Sequence, residues 1–167
     1  KQDGKIRYYG LSNYSGEMLR AALHFGSYDT VQPPYNLFER EIEGDVLPYA
    51  REHGIVSLAY GALCRGLLSG KMDRERSFEG DDLRQLDPKF RQPRFDQYLA
   101  AVSRLDLLAR ERFDQGVIQL AVRWILDRDV EIALWGARRP DQLAAVDGVF
   151  EFSLDDDALQ AIERILA

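Results

Sequence analysis

The chain has 167 residues, with 22 basic and 28 acidic side chains giving a net charge of −6, and 46% hydrophobic positions, enough for the core of one globular domain spanning residues 1–167. The acidic balance, with cations scattered among Asp and Glu, excludes a broad phosphate-gripping surface and hence nucleic acid as a partner. A lone cysteine, Cys64, leaves neither an intrachain disulfide nor a thiol cluster for a metal, and no apolar run reaches the ~20 residues of a bilayer span, so a cytoplasmic protein without a membrane partner is expected.

The first strand is expected over Ile6–Leu11. Ser15-Gly16-Glu17 supplies an N-cap and an acidic first turn for a helix carrying Met18, Leu19, Ala22 and Leu23 at helical spacing and ending by Gly26. A second strand fits Thr30-Val31-Gln32. Pro33-Pro34 then force an extended path, and a helix runs from about Asp45 to Gly54. Ile55–Tyr60 reads as the third strand, so strands begin at positions 6, 30 and 55, close to the length of a parallel strand–helix repeat. That rhythm breaks at the Gly-rich GALCRGLLSGK and the charged, proline-bearing segment from Met72 to Arg94, a loop of the length that usually serves a function or is disordered. Helical spacing returns at Leu99, Val102, Leu105 and Leu108, and again from Val117 to Ile125. A fourth strand is expected over Val130–Trp135, then a helix from Pro140 at N1 through Leu143 and Val146. A last helix should follow a capping box at Ser153-Leu154-Asp155-Asp156.

Strands alternating with helices indicate an α/β fold with right-handed crossovers, either an open doubly wound sheet or four units of a (β/α)8 barrel. In both, the C-terminal strand ends form the ligand face. There the sequence places Ser12-Asn13-Tyr14, Gln32 with Tyr35-Asn36, Tyr60-Gly61, and Gly136-Ala137-Arg138-Arg139. Asn13 and Gln32 each offer a donor and an acceptor, as a primary carboxamide requires, Ser12 adds a hydroxyl, and Tyr60 offers a flat ring. A nicotinamide headgroup presents such a carboxamide. The loop from Arg65 to Lys71 combines two glycines with two cations, a composition suited to a pyrophosphate, yet matches neither a Walker A loop nor a Rossmann fingerprint. Arg138-Arg139 before Pro140 place two cations at a helix start, a seat for a phosphate monoester. His24 and His53 fall at helix C-termini, Cys64 reads as a packed thiol, and Asp81-Asp82 as a solvated loop.

The segments GKIRYYGLSNYS, VQPPYNLFER, SLAYGALCRGLLSGK and LWGARRPDQL, in this order, resemble the second half of the aldo-keto reductase family, nearest to bacterial members sharing the GARRPDQL ending. The resemblance implies the second half of a (β/α)8 TIM barrel, four parallel strands alternating with helices, that binds NADP(H) and reduces small-molecule aldehydes and ketones. It implies that Ser12, Asn13 and Gln32 hold the carboxamide and that Tyr60 stacks on the nicotinamide. Gly61, Ala62, Leu63, Cys64, Arg65 and Lys71 would line the pyrophosphate, Gly136, Ala137 and Arg138 would face the 2′-phosphate, and Gln142 would lie near the adenosine. Met72–Arg94 would be a belt over the dinucleotide. Ala145 and Val146 stand where many relatives have Glu and Asn, and Gly61 where serine is common. The family's catalytic tyrosine and its partners fall on strands that would precede Lys1, so a missing N-terminal half-barrel is the expected partner and this chain alone is expected to be inactive. The resemblance also admits an NADP(H)-binding regulatory module like the potassium-channel β-subunits.

Overall fold

The computed structural model describes residues 1–167, which fall into two compact units. Unit 1 comprises residues 1–62 and 124–136, and unit 2 comprises residues 63–123 and 137–167. No helix is long and apolar enough to cross a membrane.

Unit 1 holds the whole sheet: β1 (Gly10–Ser12), β2 (Thr30–Gln32), β3 (Val56–Ala59) and β4 (Ile132–Ala133), hydrogen-bonded in sequence order. Every pairing is parallel. Between them lie α1 (Gly16–Leu23) and α2 (Val46–Glu52). The Ser15 hydroxyl accepts from the Met18 amide to start α1, as its sequence indicates, and Asp45 caps α2 through the Val46 amide. The Asp45 carboxylate also accepts from the Gly16 amide at 2.9 Å, fastening the two helix starts together. Leu19, Val31, Leu37, Val46, Ala50 and Ala59 form the apolar core of the unit.

β1, β3 and β4 are shorter than their sequences suggest, and at the two edge strands side chains set where the pairing begins. Residues 6–9 lie outside the ladder because β2 begins only at Thr30; Asp29 takes the Tyr9 amide with its carboxylate at 3.0 Å and is itself held by Lys1. At the other edge the Glu131 carboxylate accepts from the Ser57 amide at 2.8 Å, replacing a backbone carbonyl, so β4 starts at Ile132 and not at Val130. The sheet keeps two unpaired edges, β1 and β4.

Unit 2 is helical. It contains α3 (Arg94–Phe113), the start of α4 (Val117–Leu126), and α5 (Asp156–Leu166), with Leu68, Val102, Leu105, Leu120 and Ile162 fully or nearly buried. The capping box expected at Ser153 is not formed. Asp155 is the N-cap of α5, accepting from the Ala158 amide at 2.8 Å while Arg112 holds its carboxylate, and an ionised acceptor wins this position over the serine two residues earlier. The helix expected from Pro140 through Val146 is likewise replaced. Pro140 does stand at N1, but of a four-residue 3₁₀ turn, Pro140–Leu143, and a second turn follows at Asp147–Phe150. The Gln142 side chain folds back to accept from the Arg138 and Arg139 amides at 2.6 and 3.1 Å, closing the first turn on itself.

Gly10 fixes how closely β1 and β2 approach. A Cβ built there meets Thr30 Oγ1 at 1.9 Å and the Thr30 backbone oxygen at 2.4 Å, whereas one on Gly44 meets nothing within 4 Å. Gly10→Ala is expected to cost roughly 1–3 kcal/mol of unfolding free energy, read as a lowered urea midpoint, with Gly44→Ala unchanged as the control.

Candidate functional site

Parallel strands end on the same rim, and in unit 1 that rim gathers four of the expected residues. Asn13 leaves β1 with φ of 60°, a left-handed conformation that asparagine tolerates better than most side chains. Its amide N–H and the Ser12 hydroxyl both donate to the Gln32 carbonyl, at 3.2 and 3.3 Å. Tyr60 follows β3 and is clamped by backbone on both sides: its N–H donates to Pro33 O at 3.0 Å and its carbonyl accepts from the Tyr35 N–H at 3.1 Å. From that position the Tyr60 hydroxyl donates to Asn13 Oδ1 at 2.8 Å. Ser12, Asn13, Gln32 and Tyr60 are therefore one hydrogen-bonded cluster, with Ser12 and Asn13 exposed and Gln32 and Tyr60 half-buried.

Gly61 comes next, exposed and at φ of 70°, where a side chain would strain the backbone although nothing would crowd it. Ala62 is buried and can meet a ligand only through its backbone. Gly136 closes the rim sequence after Trp135, exposed, with nothing within 4 Å of where a Cβ would stand.

Unit 2 carries the cation-bearing residues. Leu63 begins the loop half-buried, and Cys64 is buried, as a packed thiol should be. Cys64, Arg65 and Gly66 run consecutively through left-handed backbone, at φ of 46°, 53° and 95°, a conformation non-glycine residues seldom adopt. The loop was expected to offer its amides to a pyrophosphate. Two of them are already committed, since Gly66 and Leu68 N–H both donate to Leu63 O at 2.8 and 3.2 Å, so cations and not those amides are what the loop presents. Arg65 is exposed and pairs with Asp87 at 3.2 Å, and Lys71 is exposed at the loop's end.

Ala137 and Arg138 are exposed. Arg139 is engaged by Asp141 at 3.0 Å, which leaves Arg138 as the member of the pair without an ion pair of its own. The turn it precedes is four residues long, so its seat for a phosphate rests on the guanidinium charge and hardly on a helix dipole. Gln142 has its carbonyl occupied by the Arg138 and Arg139 amides, and its side chain is a local cap before it is a ligand contact.

Segment 72–94 is more ordered than its composition suggests. It contains two 3₁₀ turns, Leu83–Gln85 and Pro88–Phe90, each capped by an aspartate, Asp82 and Asp87. Asp82 is therefore no solvated loop residue: it accepts from the Arg84 amide and guanidinium, and those bonds hold its carboxyl well below the usual range, with Arg84 and Arg138 adding charge. Burial works against the Asp87 carboxylate, but hydrogen bonds from the Lys89 backbone and ammonium, and the charges of Lys89 and Arg65, hold its carboxyl below the usual range. Arg84 also reaches Arg65 O at 3.5 Å, so the segment is tied directly to the glycine-rich loop. The Asp-x-Arg and Asp-Pro spacings, an N-cap followed by its partner and an N-cap followed by proline at N1, are the sequence signals that mark these turns.

A family profile described as the aldo/keto reductase family matches residues 1–167. The chain belongs to this family. Over 164 residues it is 54% identical to the aldo-keto reductase YhdN of Bacillus subtilis, covering 98% of this chain and 50% of that protein. It is 29% identical to the NADH-specific methylglyoxal reductase of Escherichia coli, covering 98% of this chain and 52% of the relative. Among solved structures, the glycerol dehydrogenase AKR11B4 of Gluconobacter oxydans superposes with a TM-score of 0.93 at 53% identity, covering 99% of this chain and 50% of that one. The holo form of AKR11C1 from Bacillus halodurans gives 0.73 at 26% identity, over 99% and 52% of the two chains. The chain thus spans about half the length of the curated relatives it matches, and its four parallel strands are half the eight of the aldo-keto reductase barrel.

Since Asp82 and Asp87 are held below their unfolded values, near 4, the stability they contribute is present above that pH and fades as the pH falls through the lowered folded values. The thermal midpoint should fall between about pH 5 and about pH 3, and Asp87→Asn should narrow that difference. An undiminished difference in the variant would show that Asp87 contributes none of it.

Proposed function

We propose that this chain is the cofactor-holding second half of an NADP(H)-dependent aldo-keto reductase, and that the whole protein reduces the carbonyl of a small aldehyde or ketone. The observation that carries this reading is the cluster at the strand rim of unit 1. Asn13 presents its side-chain amide beside the Ser12 hydroxyl and the Tyr60 ring, and the Gln32 backbone carbonyl holds Ser12 and Asn13 in place, which gives donors, acceptors and a flat surface of the kind a nicotinamide carboxamide and its ring require.

When bound, the cofactor supplies the hydride. The residues of this chain bind and orient it: Asn13 and Gln32 fix the carboxamide, and through it which ring face is exposed, while Tyr60 covers the opposite face. Arg65 and Lys71 would neutralise the pyrophosphate, with the backbone of Gly61, Ala62, Leu63 and Cys64 leading into that loop. Arg138, beside Ala137, would meet the 2′-phosphate. The proton that completes carbonyl reduction is assigned to no residue of this chain, in keeping with a catalytic tyrosine on the N-terminal half-barrel.

The names of the relatives point both ways on the cofactor, one being the NADH-specific reductase and another, from Schizosaccharomyces pombe and 30% identical over 166 residues, an aldo-keto reductase yakc [NADP(+)]. Arg138 decides for NADP(H) in our reading. A charge-assisted contact from its guanidinium is available only to a cofactor with the 2′-phosphate. Arg138→Ala should weaken NADP+ binding by about ten- to a hundredfold and leave NAD+ nearly unchanged, measured by calorimetric titration. Equal losses for both would make Arg138 a structural residue, and no loss for either would remove the 2′-phosphate from this loop.

A further inference from the structure

Asn36 is one of two polar residues in the buried core, fully excluded from solvent, and every hydrogen-bonding position of its side chain is used. Oδ1 accepts from the Phe38 and Glu39 amides at 2.9 and 3.1 Å. Nδ2 donates to Glu39 Oε2 at 2.6 Å and to the Gly61 carbonyl at 3.0 Å. Three of these bonds close the turn that Asn36 itself begins, which Asn36 and Glu39 also join backbone to backbone at 3.1 Å. The fourth does something the turn does not need. It crosses from the loop after β2 to the loop after β3 and grips the Gly61–Ala62 peptide, one residue beyond Tyr60.

The Gly61 carbonyl is where such a grip matters. Tyr60 is already tied at its own N–H and C=O to Pro33 and Tyr35, so its Cα position is set by backbone pairing. Gly61, at φ of 70° with open space around it, is the point at which the chain turns away, and a glycine there has unusual freedom. Fixing its carbonyl removes that freedom and holds the last peptide of the rim in one orientation. Burial strengthens the constraint: Asn36 is fully excluded from solvent, so losing the bond would leave its side-chain amide with a donor unsatisfied.

We propose that Asn36 is a positioning residue for the nicotinamide end of the site, acting through the Gly61 peptide to hold the Tyr60 ring at the angle that meets the cofactor while touching no cofactor atom itself. The inference rests on the assignment of Tyr60 to the nicotinamide face. It separates the two ends of the ligand, because the side-chain bonds of Asn36 go to Phe38, Glu39 and Gly61, at the Tyr60 end.

Affinities of the full chain for NADP+ and for adenosine 2′,5′-bisphosphate, which lacks the nicotinamide, distinguish positioning from general support. Asn36→Ser removes the tie. Asn36→Asp keeps the acceptor side and loses the donors. Both variants should bind NADP+ about tenfold more weakly and the bisphosphate within about twofold of wild type. Equal losses for the two ligands, or none, would overturn the role of Asn36 while leaving the cofactor reading intact. Wild-type chain that binds the bisphosphate but gains nothing from the nicotinamide half would overturn both. Should the variants fail to fold, the side-chain NH2 resonances of Asn36 in wild-type chain decide: they should shift on adding NADP+ and stay in place with the bisphosphate, and resonances unmoved by NADP+ would overturn the proposal.

Discussion

Parallel pairing is the constraint on which the rest depends. Because β1, β2, β3 and β4 run in the same direction, the residues that follow them emerge on one rim, and their loops can be tied to one another there. Register does the rest. Ser12 lies opposite Gln32, so both the Ser12 hydroxyl and the Asn13 amide reach the same carbonyl, and the bridge between Pro34 and Tyr60 continues the pairing beyond the formal ends of β2 and β3. Close approach of β1 to β2 is set by Gly10, a position with no room for even one methyl group. Site geometry and sheet geometry are consequently the same problem, and a change that loosens the ladder also disperses the amides.

Behind the rim, a buried polar and aromatic layer steadies the loop after β2. Tyr35 is fully buried, donates its hydroxyl to Glu43 at 2.6 Å and packs against Trp124 at 5.1 Å between ring centres. Burial, and next the hydrogen bond to Glu43, raise its phenol far above the usual value, so it stays neutral and acts as a donor. Arg40 and Arg128 each approach the Trp124 ring at 5.1 Å, and Arg40 also binds Glu43 at 2.8 Å. These contacts hold the segment whose Asn36 reaches Gly61. In unit 2 the corresponding role belongs to electrostatics: Asp82 and Asp87 bind Arg84 and Lys89 within segment 72–94, and Asp87 also pairs with Arg65 of the glycine-rich loop, a contact that an incoming phosphate would compete with.

Strand type and the residues of the rim were legible in the sequence because they depend on local pattern: Thr30-Val31-Gln32 forms β2 as read, and Ser15 caps α1; the strand order followed only from the family resemblance. Several of the failures involve a side chain that takes a place the pattern gave to another group. Glu131 shortens β4, Asp29 delays β1, Asp155 takes the cap from Ser153, and Gln142 closes a turn where a helix was expected. Periodicity cannot reveal such substitutions, since each links residues whose proximity the fold creates. The same holds for Asn36. Its place beside Tyr35 after a strand marked it as unusual for a core, but its bond to Gly61 spans 25 residues and belongs to tertiary structure. The amide set was visible as composition, whereas the left-handed turn of Asn13 and the Tyr60 hydroxyl that fixes its side chain were not.

The central claim is that the rim of unit 1 receives a nicotinamide ring on Tyr60. Saturation transfer from the aromatic protons of the protein to bound NADP+ measures this contact. The account predicts strong transfer to the nicotinamide protons in the wild-type chain and its loss in Tyr60→Leu, with transfer to the adenine protons retained. Nicotinamide signals that are equally strong in wild type and Tyr60→Leu would contradict it.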